Sequence, residues 1–177
     1  MNMKKTVVLI LLVITSLSAF GQKNPIDQLF DEYEGKDGFT SIYISSKLFS
    51  LMARADLDDE ELQDLLKGLK SIRILSVDDE ELNQKLNFYD KLEGNLDFSD
   101  YEELMVVKEG GKDLKFLIKE KGVRIEELLM ISGGPGSNVL ISIKGDLDMD
   151  NISDISNAMG LDDLNEINNK NTKKNEL

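Results

Sequence analysis

The residues of this chain that could do chemistry are carboxylates, because its 177 residues include 34 Asp and Glu but no His, Cys or Trp. The lack of His and Cys excludes Ser-His-Asp and Cys-His nucleophiles and every thiolate or imidazole metal site. Haem, iron–sulfur and disulfide chemistry are excluded with them. Neither a Ser-x-x-Lys pair nor a Gly-x-Ser-x-Gly turn occurs. Paired carboxylates could still work as acid and base.

The densest carboxylates form two similar clusters, Asp58–Glu61 and Asp78–Glu81, each followed by leucines at helical spacing. Asp58 and Asp78 both have a Glu three residues later, which is the spacing of an N-terminal capping box. Acidic side chains at a helix start also interact favourably with the helix dipole. We interpret the clusters as two helix caps, not as an internal repeat or a catalytic pair, and predict no catalytic residue.

Asp146, Asp148 and Asp150 have the spacing that opens a calcium-binding loop. Asn151 replaces the turn glycine of such a loop, and Asn157 stands where its bidentate Glu belongs. A strand that runs out into a helix cap explains the same residues. We predict no metal site and no cofactor, and a calcium-stabilised module stays open as an alternative.

The glycine-rich run Gly133–Gly136 could be mistaken for a phosphate-binding loop. It lacks the Gly-Lys-Ser/Thr sequence, and a strand pattern follows it where a helix would be needed. We predict a hairpin turn.

The N-terminus has the three parts of a secretory signal. Lys4 and Lys5 precede the apolar run Val7–Ile14, and Ala19 and Gly21 supply the small residues that signal peptidase reads. The apolar segment is shorter than the roughly 20 residues of a membrane-spanning helix. We expect residues 1–21 to be removed after Gly21, and the protein to be periplasmic or secreted.

The formal net charge of −13 repels phosphate backbones and anionic lipid. We therefore expect no nucleic-acid partner and no membrane insertion after signal removal, and expect instead an unknown protein or small ligand. Residues 22–164 are long enough for one domain that needs neither disulfides nor metal. Residues 165–177 are rich in Asn and Lys and predict a disordered polar tail.

Hydrophobic periodicity predicts the elements of the first half of the domain. Asn24 and Pro25 supply the cap and first position of a helix that ends at Gly35. The remaining predicted elements are a strand Phe39–Ser45, a helix Ser46–Arg54, a helix after Asp58, a strand Ser71–Val77 and one helix from Asp78 to Leu92.

The second half predicts four strands and a closing helix. Tyr101–Lys108 fits either a strand or a helix capped by Ser99, and we choose the strand. The other elements are strands around Leu114–Lys119, Val123–Ser132 and Asn138–Lys144, and a helix from Asp150 to Gly160.

This order predicts an α+β fold with a single mixed, mostly antiparallel sheet and a C-terminal β-meander. We expect the helices to pack on one face. The other face, which carries Lys115, Lys119, Ser142 and Lys144, is expected to lie against water.

Four segments of the second half carry a resemblance to a known family: Tyr101–Val107, Asp113–Gly122, Ile125–Ser132 and Ile141–Ser153. The chain resembles the domain-of-unknown-function family 4252, which consists of small exported proteins of Gram-negative bacteria. The resemblance spans roughly Gln28 to Leu161 and supports a strand at Tyr101–Lys108. It implies a possible link to envelope stress sensing and supplies no catalytic residues.

These observations predict a non-enzymatic envelope protein that binds a protein or small ligand through its sheet face or the hairpin Gly133–Ser137. A carboxylate-dependent hydrolase and a calcium-stabilised module are the alternatives.

Overall fold

The computed structural model describes residues 23–54 and 60–148. The predicted signal peptide, the Asp58 cap, the helix from Asp150 and the C-terminal tail lie outside these residues. The elements are α1 (Pro25–Tyr33), β1 (Phe39–Ser45), α2 (Ser46–Met52), α3 (Glu60–Gly68), β2 (Leu69–Val77), α4 (Glu80–Lys85), α5 (Phe88–Glu93), a 3-10 turn (Phe98–Asp100), β3 (Glu102–Glu109), β4 (Lys112–Lys121), β5 (Arg124–Gly133) and β6 (Val139–Leu147).

The strands form one open six-stranded sheet in the order β1-β2-β6-β5-β4-β3. Every described pair of neighbouring strands is antiparallel. Strands β3 to β6 follow one another as a meander, and β2 joins the free edge of β6. The predicted α+β class, the meander and the strand at Tyr101–Lys108 are therefore confirmed.

The helices cover both faces of the sheet, so the prediction that they pack on one face was wrong. Leu117 and Leu129 pair with each other and belong to a cluster with α1 and α5. Their chain neighbours Ile118 and Leu128 belong to a second cluster with α2 and α3. Successive strand residues point to opposite faces, so strands that are apolar at consecutive positions need cover on both sides.

Helix α1 begins as the sequence predicts. The side-chain oxygen of Asn24 accepts a hydrogen bond from the Ile26 amide at 2.8 Å, and Pro25 occupies the first helical position. The apolar side chains at helical spacing are buried against the sheet: Ile26, Leu29, Phe30 and Tyr33.

The cap of α4 is Asp79, not Asp78 as predicted. Asp79 Oδ1 accepts a hydrogen bond from the Leu82 amide at 2.8 Å. The Asp78 carboxylate instead accepts hydrogen bonds from Thr40 and Ser76. Pairing of β1 with β2 runs to the end of β2, and this pairing keeps Asp78 beside β1.

The single helix predicted from Asp78 to Leu92 is two short helices. Asn87 lies between them in extended conformation, and its side chain accepts from the Asp90 amide at 3.2 Å to cap α5. Asn138, the residue before β6, accepts a hydrogen bond from the Phe88 amide at 2.9 Å. The break leaves Phe88, at the start of α5, fully buried in the first cluster.

Replacement of Asp79 by Ala should destabilise the protein by about 1 kcal/mol, because the Leu82 amide loses its capping acceptor. Asp79→Asn should recover most of this loss, since Asn caps without a charge. Urea unfolding of both variants measures the effect. A loss in Asp79→Asn as large as the loss in Asp79→Ala would contradict the assigned cap.

Candidate functional site

A buried carboxylate, Glu127 of β5, lies at the centre of a polar network beneath α1. The residue is 4% exposed. Its Oε1 accepts a hydrogen bond from Ser142 Oγ at 2.5 Å, and its Oε2 accepts one from the Tyr101 hydroxyl at 2.9 Å. Lys144 Nζ lies 3.9 Å from Oε1. Both carboxylate oxygens are thus engaged by fixed partners.

Asp27 of α1 extends the network across the sheet. Its Oδ1 lies 3.0 Å from Arg73 Nη1 and 3.4 Å from Lys144 Nζ. The Arg73 guanidinium also stacks over the Phe30 ring at 4.0 Å, a cation–π contact. The ammonium of Lys144 therefore lies between a helix carboxylate and a strand carboxylate, and these contacts fix α1 on the sheet.

The side chains predicted to lie against water belong to this helix-covered face, so that prediction was wrong. Ser142 is fully buried and Lys144 is partly buried. Lys115 pairs with Glu103 at 2.5 Å, and Lys119 pairs with Asp100 at 2.6 Å. The cations can lie beside an apolar cluster because carboxylates from other segments neutralise them.

A cleft of about 580 Å³ opens between the start of α1 and the loop that precedes β3. Its lining is mostly polar and includes Lys23, Asn24, Gln28, Asn95, Asp97, Asp100, Tyr101 and Lys119. Tyr101 joins this cleft to Glu127. Burial and the nearby Glu127 carboxylate raise the pKa of Tyr101, so its hydroxyl stays protonated and donates at neutral pH.

The two carboxylates of the cleft show what chemistry it offers. Asp97 accepts a hydrogen bond from the Ser99 amide at 2.9 Å, and bonds from Ser99 lower the Asp97 pKa. Asp100 pairs with Lys119. Each carboxylate of the cleft is therefore engaged by a neighbouring group of the chain itself.

The two carboxylates of the Asp146-x-Asp148 motif form ion pairs with Arg124. Arg124 Nε lies 2.9 Å from Asp146 Oδ1, and Arg124 Nη1 lies 3.3 Å from Asp148 Oδ2. Arg124 Nη2 also donates to the Asp146 carbonyl at 2.5 Å. Asp150 is outside the described residues. Within 23–54 and 60–148, no group of three or more metal-binding side chains is clustered to hold a metal.

The glycine-rich run is a hairpin turn between β5 and β6, as predicted. Gly134 and Gly136 have positive φ values of 123° and 74°, which favour glycine. Asn138 donates to the Gly134 carbonyl at 3.0 Å, and the Gly136 amide donates to the Asn83 carbonyl at 3.0 Å. These hydrogen bonds hold the hairpin against α4, so these backbone groups of the turn are paired within the fold.

Helix α2 carries an apolar surface that the sequence analysis missed. Leu48, Leu51 and Met52 are 46%, 52% and 47% exposed, while Phe49 of the same helix is buried. We call these three exposed side chains the α2 surface. The sequence contained the signal, because this seven-residue helix has more large apolar side chains than a single buried face can hold.

The elements around α2 add to this surface. Helix α2 contacts β1, β2 and α3. Strand β1 exposes Ile42, and α3 exposes Leu62. An exposed group of large apolar side chains is typical of a binding surface.

The fold and these surfaces define a small α+β domain that combines an internally neutralised polar network with an exposed apolar helix. In the described part of the chain, no helix is both long and apolar enough to cross a membrane. A family model described as "Domain of unknown function (DUF4252)" matches residues 33–155. The chain belongs to this family, as the resemblance indicated. Searches of curated proteins and of solved structures give no match.

Proposed function

We propose that this protein is a non-enzymatic, exported binding module that docks another protein through the α2 surface. The observation that carries the proposal is that three large side chains on one short helix are about half exposed. Burial of apolar surface contributes about 25 cal/mol per Å². Binding of a partner that covers these side chains would therefore be favoured by the burial of their apolar surface.

The signal pattern of residues 1–21 supports export, and we propose that the protein acts in the periplasm or outside the cell. A link to envelope stress sensing, which the family resemblance implies, is compatible with a binding role. The cleft beside Tyr101 is the place where a small ligand would bind, because its volume falls in the range of ligand sites. The hydrolase and calcium alternatives gain no support from the placement of Asp97, Asp100, Asp146 and Asp148.

Site-specific photo-crosslinking in the native host tests the docking role. A photoreactive amino acid at position 51 should give a discrete adduct, and the same group at position 123 should give none. Val123 is the matched control because it is 91% exposed in the turn between β4 and β5. Leu48→Ser should abolish the adduct without changing the unfolding midpoint. The proposal is wrong if position 51 gives no adduct that depends on Leu48.

A further inference from the structure

We infer that the segment docked on the α2 surface is a protein segment in which apolar residues are flanked by Asp or Glu. This inference rests on the proposed function and names the class of its partner.

The charge of the chain is distributed unevenly around α2. Acidic residues number 34 of 177, but none occurs from Gly38 to Ala55, the stretch that contains β1 and α2. Lys47 and Arg54 lie in that stretch, at the two ends of α2. In a chain of net charge −13, the stretch Gly38–Ala55 is therefore positive, whereas the adjacent α3 carries Glu60 and Asp64.

The cations around α2 are exposed. Lys47, Arg54 and Lys70 are exposed, and none has a carboxylate within ion-pair distance among the described residues. Lys70 lies close by in the sheet, since it precedes Ser71, which pairs with Ser45 at the start of α2. The lysines on the other face of the sheet have such partners, as Lys115 and Lys119 show.

An apolar centre with a cationic rim complements a partner with an apolar centre and an anionic rim. Opposite charges within the Debye length of about 8 Å steer the encounter and fix the register. The side of the surface that carries Lys47, Arg54 and Lys70 is where an acidic segment would approach.

A protein segment fits this surface better than an anionic membrane does. Helices that lie in the membrane interface are typically much longer than α2, which has seven residues. A membrane is also a wide surface, so it would meet the net negative field of the whole domain. A peptide covers only the α2 surface and its rim.

Selection from a displayed library of random 16-residue peptides tests the inference. The purified protein is the target, and the Leu51→Ser variant is used to remove peptides that do not need the α2 surface. Peptides that bind the unmodified protein but not the Leu51→Ser variant should carry Asp or Glu on both sides of apolar residues. A selected peptide should bind the double variant Lys47→Glu, Lys70→Glu about five-fold more weakly, mainly through a slower association rate.

The matched control is Lys108→Glu, which reverses another exposed lysine on β3, at the opposite edge of the sheet from β1. It should leave the affinity unchanged. Peptides that need Leu51 but lack acidic residues would overturn the inference and leave the proposed function standing. If no peptide needs Leu51, the proposed function fails as well.

Two further outcomes would name a different occupant and overturn the inference. One is co-flotation of the protein with phosphatidylglycerol vesicles that is lost in Lys47→Glu, which would show a membrane surface. The other is a concentration-dependent dimer that Leu51→Ser dissociates, which would show a second copy of the chain. We expect the protein to stay in the vesicle-free fraction and to sediment as a monomer.

Discussion

Replacing Glu127 by Ala should lower the free energy of unfolding by about 3 kcal/mol, because removing one member of a buried charged network leaves the others unpaired. The Tyr101 and Ser142 hydroxyls lose their acceptor, and Lys144 loses one of its two nearby carboxylates. Urea unfolding, followed by circular dichroism, measures the loss.

The neighbouring residue supplies the control. Glu126 is partly exposed and its carboxylate lies 3.3 Å from Lys121 Nζ, a surface ion pair. Glu126→Ala should change stability by no more than about 0.5 kcal/mol. Combining Glu127→Ala with Tyr101→Phe should cost less than the sum of the two single losses, since both remove the same hydrogen bond. Comparable losses at positions 126 and 127 would show that the network contributes little.

Replacing Asn138 by Ala should cost a similar amount, about 3 kcal/mol, because several buried backbone groups lose their partner at once. Its side chain accepts from the Phe88 amide and donates to the carbonyls of Asn83 and Gly134. Asn138→Asp keeps the acceptor but puts a carboxylate against those two carbonyl oxygens, so it should be no better tolerated. Thermal unfolding of both variants measures the effect.

Asn95→Ala is the comparison for Asn138, because Asn95 donates one hydrogen bond, to the Lys91 carbonyl, at an exposed position. It should lower stability by well under 1 kcal/mol. A tolerated Asn138→Ala would mean that α4, α5 and the hairpin hold their places without this side chain.

Much of the fold could be predicted from the sequence because local signals set it. The cap at Asn24, the alternation of Phe39–Ser45 and the turn at Gly133–Gly136 each depend on residues within a few positions of one another. The break between α4 and α5 could not be predicted, since the buried side chain that supports it, Asn138, lies far along the chain.

The polar network could not be predicted for the same reason. Lys144 has its partners on α1 and β5, and Tyr101 has its partner on β5. A lysine in a strand whose apolar and polar residues alternate is predicted to face solvent, and the sequence does not show that these carboxylates lie nearby. The α2 surface had a local signal in the apolar composition of Ser46–Met52, but which of these side chains stay exposed depends on the elements packed against the helix.

The strand order also determines when during synthesis this domain can fold. Strand β2 pairs with β1 on one side, but its other partner is β6, where Ile74 pairs with Ile141. Until β6 has been made, the second edge of β2 has no partner and the apolar clusters lack the side chains of β4, β5 and β6. A nascent chain that ends before Val139 should therefore remain unfolded. We expect that the N-terminal half does not fold on its own and that folding requires nearly the whole described chain.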